Sequence, residues 1–89
     1  MKLVNIGFGS MIAAERILAI LDPDSAPIKR VVQEAKERGM LIDASFGRKT
    51  QTVLVMDSGH VVWSSLMPEQ ITARFHPNGD QMRENGEKA

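Results

Sequence analysis

The sequence predicts a small α+β domain: a mainly antiparallel sheet of about five strands, one main helix and a short C-terminal helix. Three observations predict it. Short runs rich in Val, Ile and Leu recur between Gly, Pro and Asp turn signals. One stretch, Ser25 to Gly39, carries apolar residues at helical spacing between clear start and stop signals. A second stretch, Pro68 to Phe75, begins on a proline as short helices do.

In chain order, Lys2-Leu3-Val4-Asn5-Ile6 reads as the first strand, and the glycines of Gly7-Phe8-Gly9-Ser10 end it. Met11 to Leu21 admits two readings. Ala13-Ala14-Glu15-Arg16 favours helix, whereas Ile17-Leu18-Ala19-Ile20-Leu21 fits a buried strand. Strand is preferred, because Asp22-Pro23-Asp24 follows and helix caps are missing. The main helix takes Ser25 as N-cap, or Asp24 if it starts one residue earlier, with Pro27 in its first turn. Ile28, Val31, Val32 and Ala35 share a face, and Gly39 is a natural C′ residue. Glu34 and Arg38 are placed for an i,i+4 ion pair. Met40 to Ser45 is the next strand. Gly47-Arg48-Lys49-Thr50 reads as a basic hairpin tip leading into Gln51 to Met56, and Asp57-Ser58-Gly59 as a tight turn into His60 to Ser64. The polar, aperiodic segment 77–89 is expected to be a disordered tail beyond a single domain at 1–76.

The chain has 89 residues, 43% of them hydrophobic and only four aromatic: Phe8, Phe46, Trp63 and Phe75. A domain this small buries about two thirds of its unfolded surface, so shared burial between copies is expected to help. Without cysteine there is no disulfide and no thiolate zinc site. No apolar run is long enough to span a membrane, and Asn5 and Gly7 interrupt the start as a signal peptide, so a cytoplasmic protein is expected. Eleven basic residues balance eleven acidic ones. Any binding to nucleic acid must therefore come from local clustering or from repetition.

Nothing supports an enzyme, a cofactor, a metal or a small-molecule substrate. Gly7-Phe8-Gly9 lacks the third glycine of a dinucleotide site. His60 and His76 lack ligand spacing, and Ser10 and Ser58 show no candidate base along the chain. Turn chemistry accounts for Asp22, Asp24 and Asp57. The cations are more informative. Arg48 and Lys49 are two long arms on one turn, Arg16 stands at an apolar run, and Lys29 and Arg30 lie at a helix N-terminus, the unfavourable end for cations. Helix starts also bind phosphate, which these two could assist. The plainer alternatives are a solvated loop, a solvated helix face and, for Arg16, an ion pair.

Several segments together resemble the extracellular matrix regulatory protein RemA family. They are Asn5-Ile6-Gly7-Phe8-Gly9-Ser10-Met11, Asp22 to Arg30, Gly39 to Ala44 and Met56 to Val61, with Pro68-Glu69 after the last strand. The match runs from about Lys2 to Phe75. The resemblance implies a bacterial DNA-binding activator of biofilm-matrix genes that forms a ring-shaped homo-oligomer, an octamer or similar, with DNA-contacting basic residues around its outside. It implies double-stranded DNA as partner, with Arg48, Lys49 and Arg16 as the leading contacts and Lys29 and Arg30 as further ones. Where the family commonly has Gly-Arg-Arg-Thr-Arg, this chain has Gly47-Arg48-Lys49-Thr50-Gln51. Lysine keeps the charge and loses the bidentate fork, and Gln51 removes one cation per subunit. Weaker phosphate binding than the family pattern is expected.

Overall fold

Short, nearly continuous apolar runs build six strands along residues 2–75, the part that the computed structural model of the protein describes. His76 and the expected tail at 77–89 lie outside the described residues. β1 (Leu3–Asn5) and β2 (Met11–Ala13) form an antiparallel hairpin. Its turn is set by the Asn5 side chain, whose Oδ1 accepts from the Gly7 N–H at 2.7 Å. A 3-10 turn, Ala14–Arg16, then passes the chain into β3 (Ile17–Leu21) of a second sheet. The expected single strand from Met11 to Leu21 is thus two strands, and the sheet residues number six strands rather than five. Both sequence signals were satisfied in part: Ala14, Glu15 and Arg16 take the helical turn, and the aliphatic run takes the strand.

α1 (Ala26–Glu37) begins as expected on Ser25, whose Oγ accepts from the Ile28 N–H at 3.4 Å. It ends on Gly39 at φ 71°, with the Met40 N–H donating back to the Ala35 carbonyl at 2.8 Å. Glu34 and Arg38 do not pair. Gln33 donates to Glu37 instead, at 3.2 Å. β4 (Leu41–Ala44), β5 (Thr52–Met56), β6 (Val61–Ser64) and α2 (Pro68–Phe75) complete the chain.

The four-stranded sheet has the order β3-β5-β6-β4. β5 pairs antiparallel with both β3 and β6, and β4 pairs parallel with β6. β4 and β5 are therefore not neighbours, and Ser45–Gln51 is not a hairpin. It is a crossover that passes the end of β6. Seven residues are more than a tight hairpin uses, and crossing one strand spans about 10 Å. Burial explains the choice. Val53 and Leu54 of β5 are fully buried and need a partner on each side, whereas β4, with Ile42 and Asp43 exposed, tolerates the edge.

The sheet is covered on both faces. Val53 and Val61 face α1, packing with Ile28, Val31, Val32 and Ala35. Leu54, Val62 and Ala44 face the β1-β2 hairpin and α2, packing with Val4, Ile6 and Ile71. One buried hydroxyl ties these layers together. Ser64 Oγ donates to the Ile6 carbonyl at 2.7 Å and accepts from the Leu66 N–H at 3.1 Å. Ser64→Ala leaves both backbone groups without that partner in a buried place. Loss of about 1–3 kcal/mol in a urea unfolding titration is expected; an unchanged midpoint would show the hydroxyl to be dispensable. α2 is fastened to β1 by Arg74, which donates to the Asn5 carbonyl at 2.7 Å, and by the Lys2 ammonium, which donates to the Phe75 carbonyl.

Candidate functional site

The sheet register divides the molecule into two ends. Leu21, Ala44, Thr52 and Ser64 mark one, and Ile17, Leu41, Met56 and Val61 mark the other. At the first end, the crossover 45–51 meets the Gly7–Ser10 turn and the segment Ser65–Met67. The meeting is close: a Cβ on Gly7 would lie 3.6 Å from Leu66.

The crossover has a built entry. Asp43 Oδ1 accepts from the Ser45 N–H at 2.9 Å and from Ser45 Oγ at 2.5 Å. The Ser45 hydroxyl, then its backbone N–H, hold the Asp43 carboxyl below its usual range. A carboxylate favoured in this way stabilises the fold above the unfolded pKa of about 4. That contribution is lost as pH falls through the lower folded value. Asp43→Asn is therefore expected to lower stability at pH 7 and to narrow the gap from wild type as pH drops toward 3. Melting curves across that range check it, and a pH-independent gap would contradict it.

From this entry the chain turns through Phe46 and Gly47, at φ 55° and 82°, and presents Arg48 and Lys49 to solvent. Neither cation has an acidic partner among the described residues. Arg48 instead stands over the Phe8 ring, 5.2 Å from its centroid. The Phe8 and Phe46 rings lie 5.2 Å apart at a tilt of 42°. Phe8 also has φ 55°, and a left-handed backbone at a bulky residue costs about 1–3 kcal/mol. Beside this cluster lies an open hollow of about 630 Å³, lined by Phe8, Arg48, Lys49, Gln51, Ser65 and Gln70 among others, with no acidic side chain among the described residues.

The other sequence-predicted cations do not all join it. Lys29 is at the same end, since it shares a small hollow with Thr50, Pro23 and Trp63 on the α1 face. Arg30 is exposed on the same helix turn. Arg16 is at the opposite end, removed from the crossover by the length of β5, roughly 17 Å. It is ion-paired with Asp57 at 3.2 Å, and the Asp57 N–H donates to its carbonyl at 2.8 Å. The pair is largely exposed and adds little stability.

Arg16 and Asp57 line a second hollow with Ser58, His60, Ile12 and Ile42. Here Ser58 does have a base beside it, unlike the reading along the chain: its Oγ lies 2.7 Å from His60 Nδ1. Asp57 is held by Arg16, and Asp43 lies across the sheet on Ser45, so among the described residues no carboxylate orients the histidine. Among the described residues, no group of acidic residues and histidines is placed to hold a metal ion, and no helix is long and apolar enough to cross a membrane.

The aromatic part of the first site escaped the sequence reading. Phe8 was visible only as the middle of a Gly-x-Gly, and Phe46 as a residue before a turn. The available signal was an aromatic beside glycine in each of two separate loops. Only the fold shows that the loops meet.

Comparison with known proteins gives the family of this chain. The RemA-like family, described as extracellular matrix regulatory protein A-like, matches residues 3–75. A protein of Dictyoglomus thermophilum, named for a regulatory role, is 60% identical over 85 residues, covering 96% of this chain and 99% of its own. Similarly named proteins of Clostridium kluyveri and Thermoanaerobacter sp. strain X514 are 51% and 49% identical, covering 90% and 98% of this chain and 87% and 91% of their own. A match spanning both layers of the fold and every loop at the crossover end means that this chain belongs to the RemA-like family.

Proposed function

We propose that this chain is a non-enzymatic, DNA-binding transcriptional regulator, an activator of biofilm extracellular-matrix genes, working in the cytoplasm as a ring-shaped homo-oligomer. The observation that carries the reading is the crossover 45–51. It holds two exposed cations, without acidic partners among the described residues, on a strained, anchored loop. The relatives' regulatory names and the family support the regulatory role.

One protomer offers few phosphate contacts: Arg48 and Lys49, with Lys29 and Arg30 near the same end. Repetition around a ring multiplies them, and avidity can then exceed single-site affinity by about 100- to 10,000-fold where the duplex reaches neighbouring sites. Arg16 lies at the far end of the sheet, so it joins this group of cations only where another copy brings it there. A ring of head-to-tail contacts brings unlike ends of adjacent protomers together, which suits that role. Binding of this kind reads phosphates and duplex shape, and it bends or wraps the DNA.

A second reading, a scaffold whose crossover docks an acidic protein, is favoured by the net charge of zero. Titration of a labelled duplex at increasing salt separates the two. The regulator gives log K falling linearly with log salt, with a slope of about −2 to −4 contributed by each engaged protomer that contacts two to four phosphates. The scaffold gives no affinity for duplex even at low salt.

A further inference from the structure

Phe8 and Phe46 are 52% and 63% exposed, where aromatic rings are ordinarily among the most buried side chains. Each stands in a left-handed backbone that disfavours bulky residues. The two come from loops far apart in the chain, yet their rings touch, and Arg48 lies over one of them. Folding of the isolated chain does not require this arrangement, because the rings are not part of either core. A surface that is strained, aromatic and cationic at once is suited to a ligand with those complementary parts.

The hollow beside the rings narrows the ligand's chemistry. Arg48 and Lys49 call for an anion, and among the described residues no acid lines the hollow to oppose one. The exposed ring area calls for a flat apolar group. Gln51, Ser65 and Gln70 add hydrogen-bonding groups between them. Gln70 uses its oxygen on the Met67 N–H at 2.7 Å, which leaves its NH₂ group to donate outward. A nucleotide combines the flat ring, the polar edge and the anion in one unit. An acidic peptide supplies the charge without a flat ring at each charge.

We propose that the Phe8–Phe46 pair is a stacking surface for an unstacked nucleobase, with Arg48 and Lys49 on the adjoining phosphates. The proposal rests on the reading of the crossover as a nucleic-acid contact and goes beyond it. The site prefers DNA with a base out of the stack to a fully stacked duplex. Aromatic platforms beside a cationic groove bind bases in this way, with little sequence preference, because every base has a π-face.

The test uses the full chain and two duplexes of one sequence, one intact and one with a single bulged 2-aminopurine. Wild type is expected to bind the bulged duplex about tenfold more tightly and to quench the 2-aminopurine. Phe8→Asn and Phe46→Asn suit the left-handed backbone without the ring. Both are expected to lose the preference and the quenching while keeping the salt slope on the intact duplex. Phe8→Trp, which keeps an aromatic face, is expected to retain both. Equal wild-type affinity for the two duplexes, or unchanged quenching in the asparagine variants, would overturn the base-stacking site and leave the regulator reading standing. A change of oligomer mass in folded Phe8→Asn would also overturn it, by assigning the rings to a contact between copies. No affinity of wild type for either duplex at low salt would overturn the regulator reading and this proposal together.

Discussion

Replacing Arg48 and Lys49 together by alanine is expected to lower duplex affinity by about 100-fold or more, because in the proposed ring each loss is repeated at every engaged subunit. The fold should not notice the change. Both side chains are exposed, neither is ion-paired among the described residues, and the crossover is anchored through Asp43, Ser45 and Gln51. Only the cation–π contact with Phe8 disappears, and an exposed one contributes about 0.5–1 kcal/mol. Light scattering should therefore give the same oligomer mass for variant and wild type, while a gel-shift or anisotropy titration shows the loss. Retained affinity would move the DNA contact away from the crossover. Arg16→Ala makes a useful comparison. It frees Asp57 as well as removing a cation, so its effect reports on the far end of the sheet.

The second large effect belongs to the core. Leu54 has no exposed surface and sits on β5, between β3 and β6, against Val4, Ile6 and Ile71. Leu54→Ala opens a cavity where three elements meet, at a cost of about 3–5 kcal/mol. For a domain whose total stability is about 5–15 kcal/mol, that is a large share. Thermal melts should show the midpoint falling by roughly 20 °C. Leu18→Ala is the informative counterpart. Leu18 is 69% exposed at the irregularity of edge strand β3, so in an isolated protomer its loss is worth within about 0.5 kcal/mol. A protomer that gains stability from its neighbours through β3 would show a larger, concentration-dependent effect. A Leu54→Ala variant melting within a few degrees of wild type would contradict the packing described.

The elements themselves were legible along the chain. Ser25, Pro27 and Gly39 act through their own backbone and nearest turns, so the bounds of α1 follow from short-range chemistry. The turn at Asp57-Ser58-Gly59 and the helix starting at Pro68 are local in the same sense. The Met11–Leu21 run was harder because its two halves carry opposite signals, and both are honoured by a 3-10 turn between two sheets. The strand pairing was not legible. Leu41–Ala44 followed by a basic turn and Thr52–Met56 has the outline of a hairpin, and what breaks it is competition for neighbours. β5, with Thr52, Val53 and Leu54 fully buried, takes two antiparallel partners, and β4 is left to pair parallel with β6 at the edge.

The candidate site divides along the same line. By itself the sequence determined that cations stand at Arg48 and Lys49, that the chain carries no thiol or recognisable catalytic motif, and that a helix starts at Ser25. Charge, composition and capping are properties of residues and their near neighbours. The tertiary structure alone decided that the basic turn is a crossover, that Phe8 meets Phe46 and lies beneath Arg48, and that Arg16 is held by Asp57 at the other end of the sheet. Those are contacts between residues some forty positions apart. Strand order decides them, and strand order depends on which apolar faces can be buried together, a property of the whole chain.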